Sequence, residues 1–135
     1  MARILVIDDN PELGRAVLKR MERAGHTGVL ASDGNAGLLI FRAESIDLVL
    51  TDILMPEKEG LETIRELRKE NPRVPIIAMS GGGYATGTDY LRLALTFGAN
   101  AVLQKPFEQH ELIDLVSALL DQAAADPTAP KRADL

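Results

Sequence analysis

The sequence predicts an α/β fold, a doubly wound sheet of five parallel strands in the flavodoxin-like (βα)5 arrangement, with helices on both faces. Short apolar runs alternate five times with longer segments in which apolar residues recur at helical spacing. Right-handed crossovers between parallel strands then place helices on both sides of one sheet. With 135 residues the chain can bury one core, so we expect one domain over residues 1–124.

The predicted strands are short and apolar, and most are rich in Val and Ile. Such runs are too short for helices and suit strands that are buried on both faces. The second run is the weakest strand candidate of the five. In chain order they are ILVI (4–7), TGVLA (27–31), IDLVLT (46–51), VPIIAM (74–79) and AVL (101–103).

A helix is predicted after each strand. Asn10 suits the N-cap of the first helix, Pro11 its first position and Gly25 its end. The remaining helices are predicted over Asp33 to about Glu44, roughly Lys58 to Glu70, Thr88 to Phe97 and Glu108 to about Ala124. The segment after them, ADPTAPKRADL (125–135), has two prolines and no periodicity, which predicts a disordered tail.

Composition and charge exclude several classes of function. The net charge of −5 predicts no direct nucleic-acid binding, because that would call for a basic patch. Disulfides and thiolate metal sites are impossible because the sequence has no Cys. No apolar run approaches the roughly 18–20 residues of a membrane span. The N-terminal MARILVIDD does not resemble a signal peptide. We therefore expect a cytoplasmic protein without a membrane partner.

Polar or charged residues close four of the five predicted strands. Asp8 and Asp9 follow the first, Asp52 the third, Ser80 the fourth, and Lys105 with its neighbour Gln104 the fifth. The carboxyl ends of parallel strands share one edge of the sheet, where ligands bind in such folds. Each of these residues alone could be an ordinary turn or surface residue, but scattered surface charge does not explain all four strand ends.

These residue types point to phosphoryl chemistry. Three carboxylates held close together need a compensating charge, and Mg²⁺ is the natural cation for an oxygen-only site. Lys105 would add a second positive charge and Ser80 a hydroxyl donor. A carboxylate in these surroundings can attack a phosphoryl group and form an aspartyl phosphate. The cation and the lysine would offset charge on the transferring oxygens.

The spaced motifs resemble the receiver domains of two-component response regulators of the chemotaxis-regulator type. The resemblance spans residues 3 to about 122 and implies the strand order 2-1-3-4-5. Gly60, eight residues beyond Asp52, belongs to the pattern. The other matching segments are VIDD (6–9), DILMP (52–56), PIIAMSG (75–81), GANA (98–101) and QKPF (104–107).

The resemblance also implies a role for each matching residue. Asp52 matches the phosphorylated aspartate and a metal ligand, Asp9 a direct Mg²⁺ ligand, and Asp8 the acid that holds the metal through water. Leu54 matches the position whose backbone carbonyl binds the metal. The remaining matches are Ser80 to the hydroxyl that hydrogen-bonds the phosphoryl oxygen, Lys105 to the phosphate-pairing lysine, and Lys105–Pro106 to a cis peptide bond.

Two departures from the family pattern concern signal readout. Most receivers carry Tyr or Phe three residues before the lysine, where this chain has Val102. We therefore expect phosphorylation to pull Ser80 inward with no aromatic at this position to report it to the face of the fourth helix, fifth strand and fifth helix. The segment SGGGYATGTDY (80–90) is also about three residues longer than usual, which predicts a mobile or displaced start of the fourth helix. Tyr84 or Tyr90 is a candidate substitute reporter.

The resemblance implies a signalling switch rather than a metabolic enzyme. Its phosphoryl donor would be a sensor histidine kinase or a histidine phosphotransfer protein, and its target an unidentified protein or the next member of a phosphorelay. We expect a monomer or weak dimer. Leu54 and Gly82 offer no polar side chain to position an attacking water, so no dedicated phosphatase activity is expected.

Other functions remain open at this stage. One is a receiver-like module that works without phosphorylation, and another is a flavin-binding domain, although aromatic residues are few. A third is a small aspartyl-phosphate phosphatase, although such enzymes usually show Asp-x-Asp at the first strand end. His26 and His110 are expected to be surface residues, and the charged run RELRKE (65–70) the solvated face of the third helix.

Overall fold

The structure, a computed structural model, describes residues 1–53, 59–81 and 87–125. Leu54, Gly82, Tyr84 and the predicted tail from residue 126 lie outside these ranges. The side chain of Tyr90 is likewise not described. The elements in chain order are β1 (Arg3–Ile7), α1 (Pro11–Arg23), β2 (Thr27–Ala31), α2 (Gly34–Ala43), β3 (Leu48–Asp52), α3 (Glu59–Glu70), β4 (Ile76–Gly81), α4 (Gly87–Phe97), β5 (Ala101–Lys105) and α5 (Gln109–Ala125).

The five strands form one parallel sheet with the order β2-β1-β3-β4-β5, which confirms the predicted fold. The register pairs Ile7 with Thr51, and Asp52 with Met79. It also pairs Gly81 with Lys105. Because every strand points the same way, the residues that end β1, β3, β4 and β5 meet at one edge of the sheet.

The sheet separates two apolar cores. Alternate side chains of each strand point to opposite faces, so Ile4 and Val6 enter one core and Leu5 and Ile7 the other. The first core is completed by α1 and α5, and the second by α2, α3 and α4. All four of these β1 side chains are fully buried, as expected for a strand covered on both faces.

Side-chain caps begin the first two helices where the sequence predicts. Asn10 Oδ1 accepts hydrogen bonds from the backbone N–H groups of Glu12 at 3.1 Å and Leu13 at 3.2 Å. Asp33 Oδ1 accepts one from Ala36 at 2.8 Å. These caps satisfy backbone donors that have no partner within the helix.

Strands β3, β4 and β5 all extend beyond their predicted ends at the carboxyl edge of the sheet. Strand β3 starts at Leu48 rather than Ile46 and includes Asp52 as its last residue. Strand β4 runs to Gly81 and β5 to Lys105, since those two residues still pair with each other. Asp52, Ser80 and Lys105 are therefore held by strand pairing rather than by loops.

Two residues that were predicted to lie on the surface are partly buried. Arg68, within the charged run 65–70, is part-buried and hydrogen-bonded to residues about 30 positions away, so it does not belong to a solvated face. His26 is partly buried, and its Nδ1 accepts a hydrogen bond from the Ala2 N–H at 3.1 Å. His110 is exposed, as expected.

Among the helices of the described ranges, none combines the length and the apolar character that crossing a membrane requires.

Candidate functional site

Three carboxyl groups meet at the carboxyl edge of the sheet. One oxygen from each of Asp8, Asp9 and Asp52 can be chosen so that all three atoms lie within 4.8 Å of one another. Asp8 is 1% exposed and Asp52 6% exposed, whereas Asp9 faces solvent. The cluster is therefore a partly enclosed acidic site that is open on the side of Asp9.

Asp8 is fixed by hydrogen bonds to both of its oxygens. Oδ1 accepts the backbone N–H of Asn10 at 2.9 Å, and Oδ2 accepts a bond from Lys105 Nζ at 3.2 Å. The Asp8 N–H itself donates to the Ala31 carbonyl at 3.0 Å. A buried carboxylate needs such partners, because its desolvation is otherwise costly.

Lys105 reaches the cluster from the far edge strand. Its Nζ lies 3.2 Å from Asp8 Oδ2 and 3.7 Å from Asp52 Oδ2, and its side chain is 17% exposed. The following Lys105–Pro106 peptide bond is cis, as the resemblance implies. The ammonium group of Lys105 thus contacts both Asp8, which follows β1, and Asp52, which ends β3.

Ser80 differs from the other site residues because its hydroxyl has no partner within the part of the chain that the structure describes. It lies one residue beyond Met79, which pairs with Asp52. Its Oγ is buried and has no hydrogen-bond partner among the residues that the structure describes. Buried hydroxyl groups are nearly always hydrogen-bonded, so an unsatisfied one at the edge of a candidate site is suited to bind a ligand atom.

Gly60 lets the first turn of α3 lie directly against the end of β3. A Cβ atom at this position would be 2.4 Å from Ile53 Cα and 2.5 Å from the Asp52 carbonyl oxygen. Both are backbone atoms that cannot move aside without shifting the strand end. A side chain at position 60 would therefore push α3 away from the backbone of Asp52 and Ile53.

Two contacts at this edge were not predicted from the sequence. The Thr51 hydroxyl donates to the Asp52 carbonyl oxygen at 3.1 Å. The Asn10 backbone binds Asp8, in addition to the predicted capping by the Asn10 side chain. The Asp8–x–Asn10 spacing was a usable signal, since Asp side chains often accept a bond from the N–H two residues on.

The donor set fits a hard divalent cation. The three clustered groups offer only carboxylate oxygens, which Mg²⁺ prefers, and the exposed side of Asp9 leaves room for water ligands. The predicted fourth ligand, the carbonyl of Leu54, lies outside the described residues.

Comparisons with known proteins agree with this arrangement. The family model for the response regulator receiver domain matches residues 4–117. A crystal structure of a receiver domain protein from Clostridium thermocellum is 32% identical, with a TM-score of 0.84 over 92% of this chain and 98% of that one.

Two longer relatives also match. The transcriptional regulatory protein CpxR of Klebsiella pneumoniae is 35% identical over 121 residues, which are 89% of this chain and 50% of the relative. The probable transcriptional regulator ycf27 of Pyropia yezoensis is 36% identical over 122 residues, which are 90% of this chain and 48% of the relative. The chain thus spans about half the length of these two regulators.

The match of the family model over most of the chain, together with the sheet order and the acidic strand-end site, shows that this chain belongs to the response regulator receiver domain family.

Proposed function

We propose that the chain is a phospho-accepting receiver switch that carries a phosphoryl group on Asp52. The observation that carries this proposal is the convergence of Asp8, Asp9 and Asp52 with the ammonium of Lys105 at one sheet edge. A carboxylate beside a lysine ammonium, with neighbouring acids that would hold a divalent cation, is an arrangement suited to attack an anionic phosphoryl group. The domain carrying this function would be residues 1–124.

An Asp52 carboxylate oxygen attacks phosphorus, the O–P bond forms, and the P–N bond of a phosphohistidine donor breaks. The leaving imidazole takes up a proton. The donor would be a sensor histidine kinase or a histidine phosphotransfer protein, because a phosphohistidine supplies the required leaving group.

Asp8 and Asp9, with Asp52, would hold Mg²⁺, which supplies charge neutralisation at the transferring oxygens. Lys105 would pair with another phosphoryl oxygen once the group is in place. The unsatisfied Ser80 hydroxyl would donate to a third, which gives that buried group the partner it lacks among the described residues.

As a switch, the protein would act through a change of binding partner or by passing the phosphoryl group on, rather than through turnover of a metabolite. Asp52, Ser80 and Lys105 catalyse only its own phosphorylation and dephosphorylation in this proposal. We propose no dedicated phosphatase activity toward other substrates and no direct binding to nucleic acid.

The test is phosphorylation by a small phosphodonor, with and without Mg²⁺, followed by intact-mass measurement. We expect one labile phosphoryl group on the wild type with Mg²⁺, and none on Asp52→Asn. A matched control is Asp121→Asn, which changes an exposed carboxylate on α5 and should be modified like the wild type. Failure to modify the wild type under Mg²⁺ with a competent donor would contradict the proposal and favour a module that works without phosphorylation.

A further inference from the structure

A groove between α2 and α3 lies on the face of the sheet opposite α1 and α5. It has a volume of about 540 Å³ and is lined by residues of these two helices. Leu39, in the middle of α2, lines it and is 65% exposed. An exposed leucine alone is ordinary, but one that lies in a groove between two helices is suited to contact a partner.

The groove is acidic. Helix α3 places Glu62, which is exposed, and Glu66, whose side chain is 45% exposed, one turn apart along its wall. The charged residue of α2, Arg42, is already paired with Glu70 at 2.7 Å. Within the part of the chain that the structure describes, Glu62 forms no ion pair, and the contact of Glu66 with Lys69 is long, at 3.8 Å. The two glutamates therefore leave a negative charge on the groove.

Helix α1 carries the complementary charges. Four of its residues are basic and two are acidic, on a chain whose net charge is −5. Lys19 and Arg23 are exposed and one turn apart, at the same spacing as Glu62 and Glu66. Neither of these cations forms an ion pair among the described residues. The exposed surface of α1 thus matches the groove in the sign and the spacing of its charges.

We propose that the groove between α2 and α3 docks α1 of a second copy of this chain, so that Lys19 and Arg23 of one copy meet Glu62 and Glu66 of the next. The two surfaces cannot meet within one chain, because the sheet and its two cores lie between α1 and α3. The contact is therefore heterologous, and every added copy offers a further groove. It does not involve Asp52, so it goes beyond the proposed function and does not require phosphorylation.

The chemistry of the contact predicts a weak association that depends on salt. Exposed ion pairs contribute little and are screened by salt, and the net charge of −5 on each copy opposes association. We expect self-association at low ionic strength and high protein concentration. It should be lost at about 0.5 M salt, where the screening length falls to about 4 Å.

Reversal of the charges on each surface tests the contact by sedimentation velocity at low salt. One variant carries Glu62→Lys with Glu66→Lys, and the other carries Lys19→Glu with Arg23→Glu. Each variant alone should remain monomeric, because its two surfaces then carry the same sign of charge. An equimolar mixture should associate again, because each surface of one variant is complementary to a surface of the other.

The matched control is Asp114→Lys with Asp121→Lys, which changes two exposed carboxylates on α5 and the net charge by the same amount as the α3 variant. It should associate at least as strongly as the wild type. A wild type that stays monomeric at low salt would overturn the inference, as would a mixture of the two variants that stays monomeric. Either result would leave the proposed function intact, since no phosphodonor is used.

Cross-linking of the wild type identifies the surfaces without any variant. A carbodiimide joins a carboxylate to a lysine amine with no spacer, so it links only groups in contact. We expect a covalent dimer at low salt in which Lys19 is linked to Glu62 or Glu66. Because α1 and α3 lie on opposite faces of the sheet, such a link joins two copies. A dimer linked only through other residues would overturn the inference.

Discussion

Two buried hydroxyl groups lie near Asp52 in opposite situations. Thr51 is fully buried and its hydroxyl donates to the Asp52 carbonyl, whereas Ser80 is fully buried and its hydroxyl has no partner among the described residues. An intramolecular hydrogen bond contributes about 1 kcal/mol to stability, while an unsatisfied buried hydroxyl contributes nothing or costs stability. The two residues should therefore respond differently to loss of the hydroxyl.

We predict that Ser80→Ala leaves the free energy of unfolding unchanged or raises it slightly, while Thr51→Val lowers it by about 1 kcal/mol. Urea denaturation of both variants beside the wild type is the measurement. Under the proposed function, Ser80→Ala should also accept a phosphoryl group more slowly, because it lacks the donor to the phosphoryl oxygen. Equal destabilisation by the two changes would contradict this account of Ser80.

One side chain, that of Arg68, joins the end of α3 to the turn between α4 and β5. Arg68 donates to the Gly98 carbonyl through Nε at 3.1 Å and Nη2 at 2.8 Å. It also donates to the Asn71 carbonyl at 3.1 Å and to Asn100 Oδ1 at 2.8 Å. Burial lowers the pKa of the Arg68 guanidinium, because a partly buried site disfavours its charged form.

Loss of the Arg68 side chain should therefore lower the stability of the protein. We predict that Arg68→Ala lowers the free energy of unfolding by about 1–3 kcal/mol, because partly buried carbonyl groups lose their donors. The matched control is Arg65→Ala, one turn earlier on α3. Arg65 is exposed and stacks on the Phe97 ring at 4.5 Å, a contact worth about 0.5–1 kcal/mol at such sites. A smaller loss in Arg68→Ala than in Arg65→Ala, by denaturant titration, would contradict the role of Arg68.

The start of β1 depends on an unprotonated histidine. His26 Nδ1 accepts the Ala2 N–H, and the Thr27 N–H donates to the Ala2 carbonyl at 2.9 Å. Burial lowers the pKa of His26 below its ordinary value of 6.5, the nearby N-terminal amine lowers it further, and Asp47 opposes both. Protonation would place a second N–H against the Ala2 N–H and remove the bond.

His26 should therefore make the stability of the protein decrease as the pH falls. The unfolded chain binds the proton more readily than the folded chain does, because the pKa of His26 is lowered on folding. The contribution of His26 to stability is therefore fully present above pH 6.5 and is lost as the pH falls below that value. We predict a smaller loss of stability between about pH 7.5 and about pH 5.5 in His26→Gln than in the wild type. His110→Gln, at an exposed position, is the control and should behave like the wild type. An unchanged pH profile in His26→Gln would contradict the assignment.

In the molecule as a whole, the proposed phosphorylation of Asp52 would have to alter a surface that a partner binds. Val102 lies on β5 and packs, partly buried, against the core on the side of α2, α3 and α4. The expectation that no ring at this position reports movement of Ser80 stays a prediction. A structure with a phosphoryl mimic that shows the α4–β5–α5 face rearranged around Val102, as in receivers with an aromatic there, would contradict it.

Most of the fold followed from the sequence because periodicity and strand length are local properties. The five strands, the five helices and the convergence of Asp8, Asp9, Asp52 and Lys105 were predicted from these patterns, and the sheet order was predicted from the resemblance to receiver domains. The Arg68 contacts could not be predicted, because its partners Gly98 and Asn100 are about 30 residues away in the sequence. A charged residue on a helix also ordinarily faces water. The direct contact of Lys105 with Asp8 also depends on side-chain placement between strands 97 residues apart.

The proposed function assigns Asp52 as the phospho-acceptor of this receiver domain. Its most direct test is borohydride reduction after treatment with a phosphodonor and Mg²⁺, followed by peptide mapping, because reduction converts an aspartyl phosphate to homoserine. We expect homoserine at position 52 in the Mg²⁺-treated sample and intact aspartate there when Mg²⁺ is chelated. Homoserine at position 8 or 9 with unmodified Asp52 would contradict it.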